Sequence, residues 1–281
     1  MNADGLFESI LKKPFFYGTA WKEAETTRLT RLAIEQGFRG IDTANQRKHY
    51  FEAAVGDAIQ SAVRDGLVNR AEIFLQTKFT FQAGQDHRLP YDPSAPIAEQ
   101  VQQSFACSLE HLGVEYLDSF VLHGPSRNAG LCAIDWEAWD AIEQLHHSGR
   151  VRRIGVSNVT IEQLKLLTSK ARVRPAFVQN RCYAIQGWGR EVREFCQANG
   201  MIYQAFSLLT ANAKFLSDPR FLAIAKKHQR SVAQVVFRFA IDSGMIPLTG
   251  TTKVEHMRED LGALDFHLSV EELKTIEGVA S

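Results

Sequence analysis

Residues 37–50, GFRGIDTANQRKHY, run a short apolar stretch into Asp42 and present Tyr50 eight positions later. Segments with helical periodicity precede and follow this stretch, over Glu23–Gln36 and Glu52–Asp65. An aspartate at a strand end is often an N-cap, because its side chain accepts hydrogen bonds from the N–H groups of the following helix. The stretch therefore predicts a helix, a strand, a loop and a second helix, and leaves open whether Asp42 is structural or chemical.

The same alternation of short apolar stretches and helical segments continues along the chain. The predicted strands are Phe15–Gly18, Gly40–Asp42, Ile73–Lys78, Ser119–His123, Arg153–Ser157, Ala176–Gln179, Met201–Ser207 and Met245–Leu248. The predicted helices are Glu23–Gln36, Glu52–Asp65, Ile97–Leu112, Trp136–Ser148, Ile161–Leu167, Glu191–Asn199, Pro219–Lys227, Ser231–Asp242 and Val270–Gly278. Strands separated by single helices form parallel sheets with right-handed crossovers, so eight such units predict an α/β protein with a closed (β/α)₈ TIM barrel.

One barrel accounts for the whole length of the sequence. Residues 1–281 contain no repeat, low-complexity tract or linker, so a single barrel domain over residues 1–281 is expected. Ala83–Pro96, with three prolines and a glycine, predicts a long loop within this barrel. An open doubly wound sheet is the alternative, but no GxGxxG motif follows the first strand.

Composition and charge exclude several classes of function. Lys+Arg and Asp+Glu both number 32, and a net formal charge of zero gives no basic surface for a nucleic acid. No apolar run approaches the roughly 20 residues that span a bilayer, and the N-terminal residues lack the order of a signal peptide. The four cysteines lie far apart without a CxxC pair, which predicts neither a zinc site nor a disulfide framework. A cytoplasmic protein, with neither nucleic acid nor membrane as a partner, is therefore expected.

Polar and ionisable residues collect at the carboxyl ends of the predicted strands, where barrels of this kind carry their chemistry. These strand ends are Gly18–Trp21, Asp42, Lys78, His123, Ser157–Asn158, Gln179–Asn180, Phe206–Ser207 and Leu248–Thr252. Hydrogen bonding at helix caps explains single residues of this kind. It does not explain why such residues recur at the carboxyl ends of so many strands, which together form one rim of the barrel. The rim is therefore the predicted functional site.

Three consecutive strand ends carry Asp42, Lys78 and His123, with Tyr50 in the loop between the first two. A buried lysine beside a carboxylate stays charged, and its charge is expected to lower the pKa of a nearby phenol. Tyr50 would then serve as a general acid, while His123 would orient a carbonyl group by hydrogen bonding. Taken singly, Asp42 fits a helix cap, Lys78 a structural ion pair and His123 a core histidine. Taken together, they favour a catalytic site.

These strand ends lie in segments that resemble the landmarks of the aldo-keto reductase superfamily. The segments are GFRGIDTA followed by a tyrosine, IFLQTKF, LDSFVLHGP, RRIGVSN and the strand of Gln179, in the order that the family has them. The resemblance runs from Gly18 to the final helix. It implies reduction of a small-molecule carbonyl compound by NADPH, with a catalytic tetrad of Asp42, Tyr50, Lys78 and His123.

One interval departs from the pattern of that family. The family places the tyrosine closer to the aspartate than the eight positions found here. The glycine that leads into the following helix is retained as Gly56, so a lengthened loop that still carries the tyrosine is expected. His49 is the rival for the position of the phenol, since an imidazole also carries a proton.

The resemblance further implies a cofactor site along the rim. The residues expected at the nicotinamide and the pyrophosphate are Thr19, Ala20, Ser157, Asn158, Gln179, Phe206, Ser207 and Leu209. Among these, Ser157, Asn158 and Gln179 would hold the carboxamide. Phe206 would stack on the nicotinamide in place of a tyrosine, because an aromatic face suffices for stacking.

The adenosine end of the cofactor is expected along IPLTGTTKVEHMRED. The residues implied there are Gly250, Thr251, Thr252, Lys253, His256, Glu259 and Asp260. The last two would hold the adenine amino group. Many relatives have a lysine and an arginine where this chain has Leu248 and His256, so Lys253 is expected to supply the charge for a 2′-phosphate. NADPH is the expected cofactor, and NADH stays open.

Substrate selection is expected from aromatic residues around the mouth of the barrel, with Trp21 and Phe79 as the predicted substrate contacts. Neither a metal nor a flavin is expected. Two other functions stay open at this point: a nucleotide-binding regulatory or redox-sensing subunit with little turnover, and a Schiff-base lyase that uses Lys78. The physiological substrate, the direction of the reaction and the oligomeric state are not fixed by any of these patterns.

Overall fold

Eight parallel strands close into a barrel in the order in which they follow one another along the chain. The strands are β1 (Phe16–Gly18), β2 (Gly40–Asp42), β3 (Phe74–Phe79), β4 (Leu117–Leu122), β5 (Val151–Ser157), β6 (Phe177–Arg181), β7 (Ile202–Phe206) and β8 (Met245–Thr249). The pairing of β8 with β1 completes the barrel. The computed structural model describes residues 3–280, with side chains from residue 5 onwards. The predicted (β/α)₈ barrel is confirmed.

Helices surround the strands and account for every helical segment predicted from the sequence. They are α1 (Ala3–Lys12), α2 (Thr26–Gln36), α3 (Glu52–Arg64), α4 (Ile97–Leu112), α5 (Ala133–His147), α6 (Ile161–Lys170), α7 (Arg190–Ala198), α8 (Pro219–His228), α9 (Val232–Asp242), α10 (Val254–Leu261) and α11 (Val270–Glu277). Helix α5 begins three residues earlier than predicted, because the side chain of Asp135 accepts a hydrogen bond from the N–H of Cys132 and so caps its first turn. Among the described helices, none has both the length and the apolar character needed to cross a bilayer.

Helix α1 has no counterpart among the predicted elements. Its residues Leu6 and Ile10, one turn apart, are buried against Phe16, Phe74 and Phe177, the first residues of β1, β3 and β6. These five side chains are called the barrel floor below. Because the strands are parallel, α1 covers the amino-terminal end of the lumen. The sequence interpretation considers this stretch only as a signal peptide and misses its apolar face.

The lumen changes from apolar to polar along its length. At the floor, Gly40 lies beside the ring of Phe16, where a Cβ atom would come within 2.2 Å of a ring carbon, so a side chain does not fit there. Two residues further along β2 the chain reaches Asp42, which is in register with Gln76 of β3. Side chains two positions apart on a strand share a face, so the polar layer lies nearer the carboxyl ends of the strands. The fold thus separates an apolar floor from a polar mouth.

Candidate active site

Asp42 and Lys78 form a buried ion pair at the carboxyl ends of β2 and β3. The Lys78 Nζ atom lies 2.7 Å from each carboxylate oxygen of Asp42 and 2.8 Å from the carbonyl oxygen of Thr43. Both side chains are almost completely excluded from solvent. Burial lowers the pKa of Lys78, and the charge and hydrogen bonds of Asp42 oppose that shift. All three N–H groups of the ammonium therefore have acceptors, which favours a permanently charged lysine over a Schiff-base nucleophile.

Two glutamines donate to the carboxylate from the other side, and a third glutamine holds these two in place. Gln76 and Gln179 donate hydrogen bonds to Asp42 Oδ1 over 2.7 and 3.0 Å. The side-chain oxygen of Gln204 accepts from both of these amides, over 2.8 and 3.0 Å. Sequence reasoning missed Gln76 and Gln204. A signal for Gln76 was available, because it precedes Lys78 by two positions in IFLQTKF and so shares its face of the strand.

The lengthened loop after β2 brings Tyr50 to this ion pair. The Tyr50 ring centre lies 5.3 Å from Lys78 Nζ and 5.9 Å from the centre of the His123 ring, in an edge-to-face arrangement. Within the loop, the amides of His49 and Tyr50 both donate to the carbonyl oxygen of Gln46. This turn places the phenol ring beside the cation. Asp42, Tyr50, Lys78 and His123 therefore lie together, as the sequence predicts.

The expected lowering of the pKa of Tyr50 is wrong. Burial raises the pKa of the phenol far above its ordinary value, and the negative charge of Asp42 raises it further. The charge of Lys78 does not outweigh these two effects, since Asp42 compensates much of it and all three of its N–H groups are engaged. Tyr50 is thus protonated, which is the form that a proton donor needs.

His49 stands next to this centre and packs against Trp21. Its ring centre lies 4.1 Å from that of Trp21, and its Nδ1 lies 2.9 Å from the side-chain oxygen of Gln46. Burial lowers the pKa of His49, and the charge of Lys48 adds to the effect. The imidazole is therefore neutral near neutral pH and held to the loop, while the phenol contacts the ion pair.

His123 is neutral and is held by a hydroxyl group. Its Nδ1 lies 2.7 Å from Thr80 Oγ1, a partner that the sequence interpretation missed. Burial lowers the pKa of His123 well below its ordinary value, and the charge of Lys78 lowers it further. When Thr80 donates to Nδ1, the proton of the ring resides on Nε2, which can then donate to a carbonyl oxygen.

Ser157, Asn158 and Gln179 lie beside His123 on the same rim. Ser157 Oγ donates to the carbonyl oxygen of Gln179 over 2.6 Å, and Asn158 Nδ2 donates to that of His123 over 2.7 Å. Asn158 has a left-handed backbone with φ of 54° and is exposed, and its Nδ2 also donates to Ser157 Oγ over 3.1 Å. The predicted trio is thus assembled. Its contact with a nicotinamide carboxamide stays a prediction.

Phe206 ends β7 at the same level as Arg181 of β6, with which it is in register. The Arg181 guanidinium lies 5.7 Å from the centre of the Phe206 ring, so a cation borders one face of this ring. Ser207 follows with φ of 59°, and Leu209 precedes the helical turn Thr210–Phe215. These positions suit the predicted crossing of a pyrophosphate.

A buried asparagine fixes the loop after β7. The Asn212 side chain accepts from the amide of Ala184 and donates to the carbonyl oxygens of Cys182 and Leu208, all within 2.9 Å. Sequence reasoning missed this anchor, because a single asparagine in a loop carries no distinctive pattern. The loop that the prediction places over the cofactor is therefore tied to the one after β6.

Most of the residues predicted as cofactor contacts after β8 are open to solvent, and their contact with a cofactor stays a prediction. Gly250, Thr252, Lys253, His256 and Glu259 are exposed, and Thr251 is partly buried. Asp260 is only 3% exposed and accepts a hydrogen bond from Thr249 over 2.7 Å. Burial raises the pKa of Asp260 to about 6. The adenine contact predicted for Asp260 does not agree with this burial, because its carboxyl group is turned inward against β8.

Lys22 is a further cation beside this segment, and sequence reasoning missed it. Its Nζ donates to the carbonyl oxygen of Gly250, and burial lowers the pKa of the amine. Thr19 lies deeper in the same corner, where its hydroxyl donates to the carbonyl oxygen of Asp42 over 3.0 Å. Ala20, which follows Thr19, is partly buried. The sequence did contain a signal for Lys22, because this lysine closely follows the Gly-Thr pair at the end of β1.

The two predicted substrate contacts differ in their placement. Trp21 is 71% exposed at the mouth, with φ of 62°. Phe79 is completely buried and packs against Phe81 and Tyr91. Since Lys78 points into the lumen, strand alternation turns Phe79 to the outside of the barrel. The structure therefore contradicts a substrate contact for Phe79, and Trp21 stays a prediction.

Comparison with known proteins identifies the family of the chain. The model of the Aldo/keto reductase family matches residues 15–281. The chain belongs to this family. Prostaglandin F synthase 1 of Bos taurus is 27% identical over 303 aligned residues, which cover 98% of this chain and 89% of the bovine protein. The uncharacterized oxidoreductase YtbE of Bacillus subtilis is 29% identical, over 91% of this chain and 84% of its own length.

Solved structures of the aldo/keto reductase family share the fold along nearly the whole chain. An aldo-keto reductase of Bombyx mori, solved in complex with NADP, superposes with a TM-score of 0.78 at 26% identity, covering 95% of this chain and 88% of its own. An aldo/keto reductase of Brucella melitensis gives a TM-score of 0.79 at 29% identity, over 95% of this chain and 94% of its own. Helix α1 precedes the part that matches the family model.

Proposed function

We propose that this chain reduces an aldehyde or ketone to an alcohol, with NADPH as its cofactor and Tyr50 as the general acid. The observation that carries the proposal is the buried Asp42–Lys78 ion pair beneath the Tyr50 ring, with neutral His123 beside it. The protonated phenol and the neutral imidazole lie side by side at the mouth of the barrel, with ring centres 5.9 Å apart. This is the arrangement that protonation of a carbonyl oxygen requires.

The residues of the rim fit a nicotinamide dinucleotide. Exposed Asn158 offers an amide, and Phe206 offers an aromatic face, as a carboxamide and a ring would need. Lys22 and Lys253 provide positive charge at the segment after β8, which suits the phosphates. When bound, NADPH would supply the hydride that the carbonyl carbon receives. The relative from Bombyx mori was solved with NADP, which supports this choice of cofactor.

Residues of the chain would bind the carbonyl oxygen, transfer the proton and stabilise the resulting phenolate. His123 would donate from Nε2 to the carbonyl oxygen and fix its position. Tyr50 would transfer its hydroxyl proton to the same oxygen as the alcohol forms. The cation of Lys78 would then stabilise the phenolate, since a positive charge favours an adjacent anion. Asp42 keeps Lys78 charged and in place.

Steady-state turnover tests the proposal. Purified protein should oxidise NADPH when offered a panel of aldehydes and ketones, and the corresponding alcohols should accumulate in equal amount. Absence of turnover across the whole panel, with nucleotide bound, would count against it. Binding can be followed separately by quenching of protein fluorescence on titration with NADPH.

A nucleotide-binding subunit with little turnover is the second candidate function. The observation that favours it is that no hydrogen bond joins Lys78 to Tyr50 within the described part of the chain. A single slow oxidation of bound cofactor without a steady state would support this alternative. Repeated turnovers per active site would exclude it.

A further inference from the structure

A chain of polar side chains connects the outer helices to the wall of the barrel. Cys107 and His111 of α4 lie one turn apart, and Sγ is 3.5 Å from Nε2 and 3.7 Å from Nδ1 of the imidazole. His111 Nδ1 lies 3.1 Å from Glu52 Oε2 at the start of α3. The Thr77 hydroxyl donates to the other oxygen of Glu52. None of these four residues has a role in the proposed reduction.

The close approach of α3 to α4 produces this arrangement. A Cβ atom on Gly56 would lie 2.0 Å from the carbonyl oxygen of His111, so only a glycine permits this distance between the helices. Glu52, one turn before Gly56, is then brought against the imidazole. The Glu52 side chain is 2% exposed, whereas that of His111 is 38% exposed. The imidazole is thus anchored from inside and reachable from outside.

The charges of the cluster favour a cationic imidazole beside the sulfur. Contact with Cys107 and with Glu52 raises the pKa of His111 to about 10. A positive charge within hydrogen-bond distance of a sulfur stabilises the negative charge that the sulfur carries when it attacks an electrophile. Cys107 is itself partly exposed, so a small reagent can reach it.

The other cysteines lack this environment. Cys132 is also partly exposed, but its Sγ lies 3.2 Å from a carboxylate oxygen of Asp135, a negative charge that opposes thiolate reactivity. Cys182 and Cys196 are buried, and burial raises the pKa of both thiols to about 12. Cys107 therefore differs from all three in having both access and a neighbouring cation.

We propose that Cys107 is a modification site at which a hydroperoxide oxidises the thiol to a sulfenic acid, with His111 as the proton donor and Glu52 as its anchor. The thiol first loses its proton to solvent. The sulfur then attacks one peroxide oxygen and forms an S–O bond as the O–O bond breaks. The departing oxygen takes a proton from His111 and leaves as water or an alcohol. Sulfur loses two electrons and the peroxide gains two.

Labelling of the whole protein tests this assignment. The full chain is treated with hydrogen peroxide, sulfenic acid is trapped with dimedone, and labelled peptides are quantified by mass spectrometry. Label should appear at Cys107 about tenfold faster than at Cys132, which corresponds to a modest difference in barrier. Equal rates at the two cysteines, or faster labelling of Cys132, would overturn the proposal. This comparison uses only the unaltered protein.

The role of the imidazole is tested with two matched substitutions. His111→Gln removes the cation from a partly exposed helix face and should slow labelling of Cys107 about tenfold, while Cys132 is unaffected. His147→Gln, on exposed surface of α5, should change neither rate. Undiminished labelling of Cys107 in a folded His111→Gln protein would show that the thiol reacts without its neighbour.

Discussion

The ammonium of Lys78 lies 5.3 Å from the centre of the Tyr50 ring, while its three hydrogen-bond acceptors belong to Asp42 and Thr43. The phenol therefore meets the cation through its ring face and not through a hydrogen bond. Such a contact attracts a cation electrostatically and keeps the two groups adjacent. It leaves the phenol protonated, with the charge that would stabilise its anion close at hand.

Replacement of Tyr50 by phenylalanine tests its role as proton donor. Tyr50→Phe should lower kcat for an aldehyde by a factor of about 10²–10⁴, which is the usual contribution of a general acid. Affinity for NADPH should be unchanged, since the ring is retained. Steady-state kinetics and fluorescence titration measure the two effects. Tyr183→Phe is the control, because Tyr183 lies on the loop after β6 and is also partly buried. A kcat close to that of the unaltered protein would transfer the role to His49 or to water.

Substitutions in the ion pair should affect stability and activity differently. Lys78→Met leaves the Asp42 carboxylate buried without its counter-ion and should lower the free energy of unfolding by about 3–5 kcal/mol. Adding Asp42→Asn removes that unpaired charge, while the asparagine oxygen can still accept from Gln76 and Gln179. The double variant should regain most of the lost stability and none of the turnover. Urea unfolding and steady-state assays check this, and recovered activity in the double variant would contradict the role of Lys78.

The buried imidazole of His123 should make the protein less stable in mild acid. Its pKa is below the ordinary value of 6.5. Between these two pKa values, His123 is protonated in the unfolded chain and neutral in the folded protein. The contribution of His123 is therefore complete above pH 6.5 and is lost as the pH falls, by at most about 1.4 kcal/mol per pH unit. Urea unfolding from pH 7 to pH 5 should show a smaller loss in His123→Gln than in the unaltered protein.

The contribution of His111 to stability should be lost at high pH, whereas that of His123 is lost at low pH. The pKa of His111 is raised to about 10, so its contribution is complete below 6.5 and is lost as the pH rises towards 10. His111→Gln should therefore reduce the loss of stability in alkali and leave the acid limb unchanged. A matching change on the acid limb would show that the two histidines do not titrate independently.

The barrel floor should contribute to stability without affecting chemistry. Ile10→Ala removes buried apolar atoms from α1 and should lower the free energy of unfolding by about 2–5 kcal/mol. The neighbouring Leu11 is 43% exposed, so Leu11→Ala should cost less than about 0.5 kcal/mol. Thermal unfolding compares the two variants, and kcat should be the same in both. A large fall in kcat in Ile10→Ala would mean that the two ends of the barrel are coupled.

The barrel, and the position of Asp42, Tyr50, Lys78 and His123 at its mouth, could be predicted from the sequence. Short apolar stretches predicted every strand, and Asp42, Lys78 and His123 lie at or next to the carboxyl ends of neighbouring strands, so the parallel topology brings them together. The contact between Gln76 and Gln204 joins residues 128 positions apart, and no local pattern indicates it. The pKa of Tyr50 was predicted in the wrong direction because it is raised by burial of the phenol and by the charge of Asp42, and neither effect can be judged from the sequence. The wrong prediction of a substrate contact for Phe79 could have been avoided. Because Lys78 points into the lumen, the next residue on the strand, Phe79, must point outward.

The helix that closes the amino-terminal end of the lumen lies before residue 15, where the match to the family begins. A version of the chain that started at the family boundary would keep every residue of the mouth. It would also uncover Phe16, Phe74 and Phe177, three rings that otherwise never meet solvent. Contiguous exposed aromatic surface drives proteins to associate. A chain that begins at residue 15 is therefore expected to self-associate through this end of the barrel, which is opposite the chemistry.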